Sequence, residues 1–115
     1  RKGWEKVILG ACERWKHDDE IARVPVHTMR FGDLVFVGLP GEVFVRWGLE
    51  IKHWSPGRFT FVAELANGWL GYIPTTDQAH RGAYGAKPIL SRQLIADGGR
   101  QMTDTAQILM CKLWE

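Results

Sequence analysis

Two short stretches hold the residues best suited to chemistry. Leu39-Pro40-Gly41-Glu42-Val43-Phe44 sets a carboxylate just beyond an apolar run, at what reads as a strand-to-helix junction. Asn67-Gly68-Trp69-Leu70-Gly71-Tyr72-Ile73-Pro74-Thr75-Thr76 sets a phenol in a glycine-rich turn, about one strand–helix–strand unit later. A carboxylate and a phenolate are hard oxygen donors, half of a metal site. A catalytic zinc usually takes three protein ligands and keeps one position open. The other half is not evident. His17, His27, His53 and His80 show no pairing at helical spacing, and Cys12 and Cys111 lie far apart with no C-x-x-C motif, which excludes a zinc–cysteine site. His17 and His53 read as solvated and His27 as packed on a strand. His80 alone falls in a loop of functional character.

Each residue also has a plainer reading. Glu42, expected in the first turn of a helix, would be stabilised there by the dipole and free N–H groups. It would also stand beyond the carboxyl end of a strand, where open α/β sheets bind ligands; equally, it could merely satisfy those backbone donors. Tyr72 could be a core ring with a hydrogen-bonded hydroxyl. Tyr84, in Gly82-Ala83-Tyr84-Gly85, shares with Tyr72 the ability to donate to a developing oxyanion. Of the six tryptophans, Trp4, Trp15, Trp47 and Trp54 fall on apolar helical stripes and read as core. Trp69, beside Tyr72, is the one placed to line a pocket for an apolar chain.

The elements that must position these residues follow from periodicity. Trp4, Val7, Ile8, Ala11, Cys12 and Trp15 recur at helical spacing, which predicts an amphipathic helix over 3–17, with Lys16-His17-Asp18-Asp19-Glu20 as its solvated exit. Residues 23–31 alternate, Val24, Val26 and Thr28 against His27 and Met29. Gly32-Asp33 fits a two-residue hairpin turn. Leu34 to Leu39 is almost continuously apolar, a strand buried on both sides and central in its sheet. A helix is expected from Gly41-Glu42, with Phe44, Trp47, Ile51 and Trp54 on one side and Gly48 admitting a neighbouring backbone, ended by Ser55-Pro56-Gly57. Phe59, Phe61, Ala63 and Leu65 alternate with Thr60, Val62 and Glu64, giving a third strand. Residues 66–97 read as a long ordered loop, a length that is usually functional. Met102, Ala106, Leu109, Met110 and Leu113 mark a closing helix from about 99. The fold class is therefore α/β: a mixed β-sheet with flanking helices.

At 115 residues the chain is a single unit, 1–115, or a piece of one, with a core of useful size. A net charge of +2 with no basic stripe argues against nucleic acid, and no apolar run is long enough for a transmembrane segment. The opening Arg1-Lys2-Gly3 leads straight into helical periodicity, which reads as a chain cut from a longer one or a processed product. Cys12 and Cys111 are expected as buried thiols ahead of one disulfide between terminal helices.

Taken together, Gly38-Leu39-Pro40-Gly41-Glu42-Val43-Phe44 with Gly48-Leu49-Glu50-Ile51-Lys52, then Ala66-Asn67-Gly68-Trp69-Leu70-Gly71-Tyr72-Ile73-Pro74-Thr75, then Gly82-Ala83-Tyr84, resemble the neutral, non-lysosomal ceramidase family and its bacterial relatives. The resemblance runs over about residues 23–114. It implies zinc as cofactor, with Glu42 and Tyr72 as ligands, and Tyr84 assisting the substrate carbonyl. It implies too that two histidine ligands and a serine nucleophile lie in an amino-terminal half of the domain outside this chain. That half would be the chain's main partner, and the substrate a lipid-like N-acyl amide; Trp69 and His80, singled out by their positions in the sequence, are the candidates to meet it. An extracytoplasmic site follows from the same resemblance. One position departs: the family commonly has glutamate after the second tyrosine, where this chain has Gly85, which puts substrate specificity in question. The expectation is the carboxyl-terminal portion of a zinc-dependent amide hydrolase, inactive alone. Its rival is a binding or assembly domain that kept the scaffold and lost the chemistry.

Overall fold

The structure, a computed structural model, describes residues 22–86 and 94–115, together with residues 3, 5–7, 9, 10 and 13. Those seven are all helical, as the amino-terminal pattern predicts. Trp4, Ile8, Ala11, Cys12, Trp15 and the charged run 16–20 lie outside the described residues.

Strand β1 (His27–Phe31) turns through Gly32-Asp33 into β2 (Leu34–Gly38), antiparallel, with Phe31 opposite Leu34. Gly32 takes φ of 58°, a left-handed value that favours glycine and closes the two-residue turn. Beyond β2 the chain does not enter a helix at once. Glu42–Val43 forms a two-residue strand, β3, and helix α1 starts only at Val45 and runs to His53, with Phe44 as N-cap. Glu42 is thus a strand residue, and the stabilisation expected from a helix dipole does not apply to it. The chain returns along β4 (Phe59–Ala63), parallel to β2, then forms β5 (Tyr72–Ile73), parallel to β3. Helix α2 (Thr76–Arg81) and the closing helix α3 (Gly98–Lys112) complete the described elements. The segment expected to be a loop over 66–97 therefore carries a strand and a helix. The fold is α/β: a three-stranded mixed sheet in the order β1-β2-β4, a second two-stranded ladder, and flanking helices.

Strand β2 is central, but it is not buried evenly on both sides. Val35 and Val37 are fully buried against the helices, whereas Leu34 and Phe36 on the opposite pleat are half-buried. The core gathers Val35, Val37, Leu39, Trp47, Ile51, Ile73, Leu94, Met102, Ala106 and Met110. Each fully buried aliphatic side chain of this kind contributes about 1.5–3 kcal/mol. Trp47 joins the core as expected, but Trp54 is exposed at the end of α1. Gly48 faces open space, with no neighbouring backbone against it. Cys111 is a free, exposed thiol, not a buried one.

The carboxyl terminus is fastened to the hairpin. Arg30 donates from Nη1 to the Leu113 carbonyl at 2.8 Å, and its guanidinium lies 4.0 Å above the Trp114 ring. Such a stacked cation is worth about 0.5–1 kcal/mol at exposed sites.

Candidate functional site

The segment between β2 and β3 is held by the buried Leu39 and Pro40 side chains and by a set of backbone hydrogen bonds. Leu39 N–H donates to the Ala63 carbonyl, Ala66 N–H to Leu39, Leu70 N–H to Pro40 and Glu42 N–H to Gly71, all at 2.8–2.9 Å. The turn that makes these returns possible uses left-handed backbone at Leu65 and Asn67, with φ of 53° and 61°. Asparagine tolerates that conformation; leucine does so only under constraint. Gly41 sits where the two segments cross. A Cβ there would lie 2.6 Å from Ile73 Cδ1 and 2.8 Å from the Gly71 carbonyl oxygen, so only glycine lets β3 approach β5. Its place between Pro40 and Glu42 was the available signal for this role.

The consequence of that approach is a register: Glu42 pairs with Tyr72, and Val43 with Ile73. Side chains on successive strand residues alternate between faces. Ile73 is buried in the core, so Glu42 and Tyr72 share the opposite face, on strands about 4.8 Å apart. Tyr84 arrives from the turn after α2 and packs on Tyr72 edge to face, centroids 5.5 Å apart at 73°. Its own side chain is 85% exposed, so this end of the cluster is open to solvent. The Tyr72 hydroxyl makes hydrogen bonds with Tyr84 and with Glu42. These two bonds, in that order, hold the phenol well above the ordinary tyrosine range; burial and the two neighbouring charges add to them. Three of the five residues singled out from sequence thus meet in one place.

The other two do not join them. Trp69 is exposed in the turn before β5. His80 faces solvent in the last turn of α2 and is not among the groups acting on Tyr72. His27, expected to be packed, is exposed on β1.

Gly85 has a local cause. It takes φ of 73°, and a Cβ there would lie 2.5 Å from Tyr72 Cγ. The residue after Tyr84 is glycine because the Tyr72 ring lies against its backbone. Glutamate at this position would require the turn or the ring to move. A second positioning device lies beneath the cluster. Trp47 Nε1–H donates to the buried Pro74 carbonyl at 3.1 Å, tying α1 to the residue after β5. Gly99 at the start of α3 lies against the same indole, and Arg100, ion-paired with Glu50, stacks 4.8 Å from its ring. At the start of α2 the Thr75 hydroxyl donates to Asp77 at 2.6 Å, the main reason the Asp77 carboxyl is held below its ordinary range.

What the cluster offers a cation is one carboxylate and two phenols, all oxygen donors, on rigid backbone. Among the described residues no group of three or more His, Cys, Asp or Glu converges. The donor set therefore fits part of a zinc shell, not all of it.

The site is thus an acid–phenol pair across a parallel two-strand ladder within a mixed α/β layer. No protein-family profile matches the sequence, and no curated protein does. Among solved structures the chain is similar to the neutral ceramidase from Pseudomonas aeruginosa, with a TM-score of 0.55 and 21% identity over 76% of this chain. The match spans 15% of that protein's chain. At this identity the likeness establishes the fold.

Proposed function

We propose that the chain is a carboxyl-terminal part of the catalytic domain of a zinc-dependent amide hydrolase of the neutral ceramidase type. The observation that carries this reading is the Glu42–Tyr72 rung, with Tyr84 against it. Three residues matched to one family's motifs come together although a helix, a strand and a six-residue helix separate them in sequence. The fold likeness to a ceramidase supports it from a second direction.

In this reading Glu42 and Tyr72 hold zinc, and the remaining ligands, two histidines, come from the amino-terminal half of the same protein. When bound, zinc supplies Lewis-acid polarisation of the amide carbonyl or activation of the attacking oxygen. Glu42 and Tyr72 keep their donor atoms side by side, because the β3–β5 register leaves neither strand free to slip. Tyr84, the most solvent-open member, directs its hydroxyl at the substrate carbonyl and stabilises negative charge that develops there. Trp69, exposed in the turn before β5, is left to meet the apolar chain of an N-acyl amide; His80, on the outer turn of α2, takes no part.

The test uses the full-length parent protein and reads metal content as well as rate. Glu42→Gln is expected to lose stoichiometric zinc while its metal-free form unfolds at the same denaturant concentration as the metal-free wild type. Tyr84→Phe is expected to keep zinc and to lose about 10²–10³ in kcat, the usual effect of removing one oxyanion donor. Zinc that remains stoichiometric in Glu42→Gln would make Glu42 structural and favour the binding-or-assembly reading.

A further inference from the structure

The outward pleat of the three-stranded sheet is apolar from edge to edge. Met29 of β1, Phe36 of β2 and Phe61 of β4 stand in one row of the register; Phe31, Leu34 and Phe59 stand in the next. The rings are already ordered among themselves: Phe36 stacks on Phe61 at 5.4 Å, and Phe31 meets Phe36 edge to face at 6.1 Å. Yet Met29 is 55% exposed, Phe31 63%, Phe59 54% and Phe61 56%. At 150–250 Å² for each aromatic side chain, the open surface is on the order of 400 Å². The largest apolar patch of a typical monomer is of that size and is often functional.

We infer that this face is the seat of a further layer of the parent polypeptide, packed on the sheet from the side opposite α1 and α3. Three observations select that occupant. β1 joins antiparallel, but the pairing of β2 with β4 is parallel, the arrangement typical of α/β domains with a layer on each face; here the described residues cover one. Both outer strands, β1 and β4, present unpaired edges among the described residues, as the middle of a wider layered domain would. The similar ceramidase carries this fold in 15% of its chain, so the same arrangement there sits within a much larger polypeptide. The inference rests on the parent-protein part of the proposed reading and not on zinc.

A photo-crosslinker inside the face identifies what covers it. Phe31→p-benzoylphenylalanine, and separately Phe61→p-benzoylphenylalanine, are placed in the full-length parent protein and irradiated at low protein concentration. The expected product is an intramolecular cross-link to a peptide outside residues 1–115. A cross-link within 1–115, a covalent dimer, or an adduct to added phosphatidylcholine vesicles each overturns the proposal in favour of the occupant it names. Where a variant fails to fold, hydroxyl-radical labelling of the wild-type parent decides. Protection of the Met29, Phe31 and Phe61 side chains supports a covering layer, and labelling as fast as at the exposed Trp54 and Trp69 overturns it. Neither readout depends on metal, so a failure of the zinc reading leaves this result interpretable.

Discussion

At the residue scale the cluster turns on the Tyr72 hydroxyl, shared between a second phenol and a carboxylate. Hydrogen bonds to the protonated form keep that proton on in the native state. In the unfolded chain the same phenol ionises at its ordinary value, near 10.0. The native state therefore holds the proton to higher pH. The stability Tyr72 contributes is complete below the ordinary value and is lost as pH rises through the elevated one. Tyrosinate absorbance should show an ionisation displaced above the ordinary range, which is absent from Tyr72→Phe. Denaturant midpoints should fall more steeply with alkaline pH in the wild type than in that variant. Identical titrations would mean that the hydroxyl is not engaged. Residue types and motif spacing were enough to select Glu42, Tyr72 and Tyr84. They could not reveal that Gly85 is bound to the packing of Tyr72, because the cause lies in a left-handed φ and a ring from another strand. Nor could they exclude His80, whose loop context looked functional until α2 placed it on an outer turn.

At the element scale the decisive structure is the smallest one. Two residues of β3 against two of β5 bring the acid and the phenol together. A strand of that length has no periodicity to read, so Glu42 looked like the opening of the helix that follows it. The same limit hid β5 and α2 within an apparent loop. By contrast, the hairpin, the central position of β2 and the closing helix were legible, since each rests on a repeated pattern or a glycine turn. The alternation in β4 showed that two faces exist, but not which one meets the core; the phenylalanines proved to be outside, and Thr60 and Val62 inside. Gly41 is the element-scale hinge of the site. Gly41→Val should cost about 1–3 kcal/mol through overpacking against Ile73 and Gly71, measured by denaturant unfolding. It should also weaken the Tyr72–Tyr84 contact, seen as loss of the displaced tyrosine ionisation. An unchanged midpoint would show that β3 and β5 stand further apart.

At the scale of the whole molecule, the described residues form a well-packed core, part of a zinc donor set and a bare sheet face. In the proposed reading the rest of the donor set and the cover of that face belong to the parent protein. The purified 115-residue chain should accordingly show no zinc-dependent amidase activity on N-acyl amides. Turnover that follows added zinc and is lost with a chelator would mean that the missing ligands were misassigned.

The rung between β3 and β5 also carries an evolutionary implication. Its donors lie thirty positions apart in sequence but share one pair of backbone partners, so the intervening helix and strand can lengthen or shrink without disturbing them. A single residue gained between Gly71 and Tyr72 acts differently: it would rotate the phenol to the far side of its ribbon and turn Ile73 out of the core in the same step. The acid–phenol pair is thereby coupled to the packing of the interior, and a change of spacing at that spot cannot move one and spare the other.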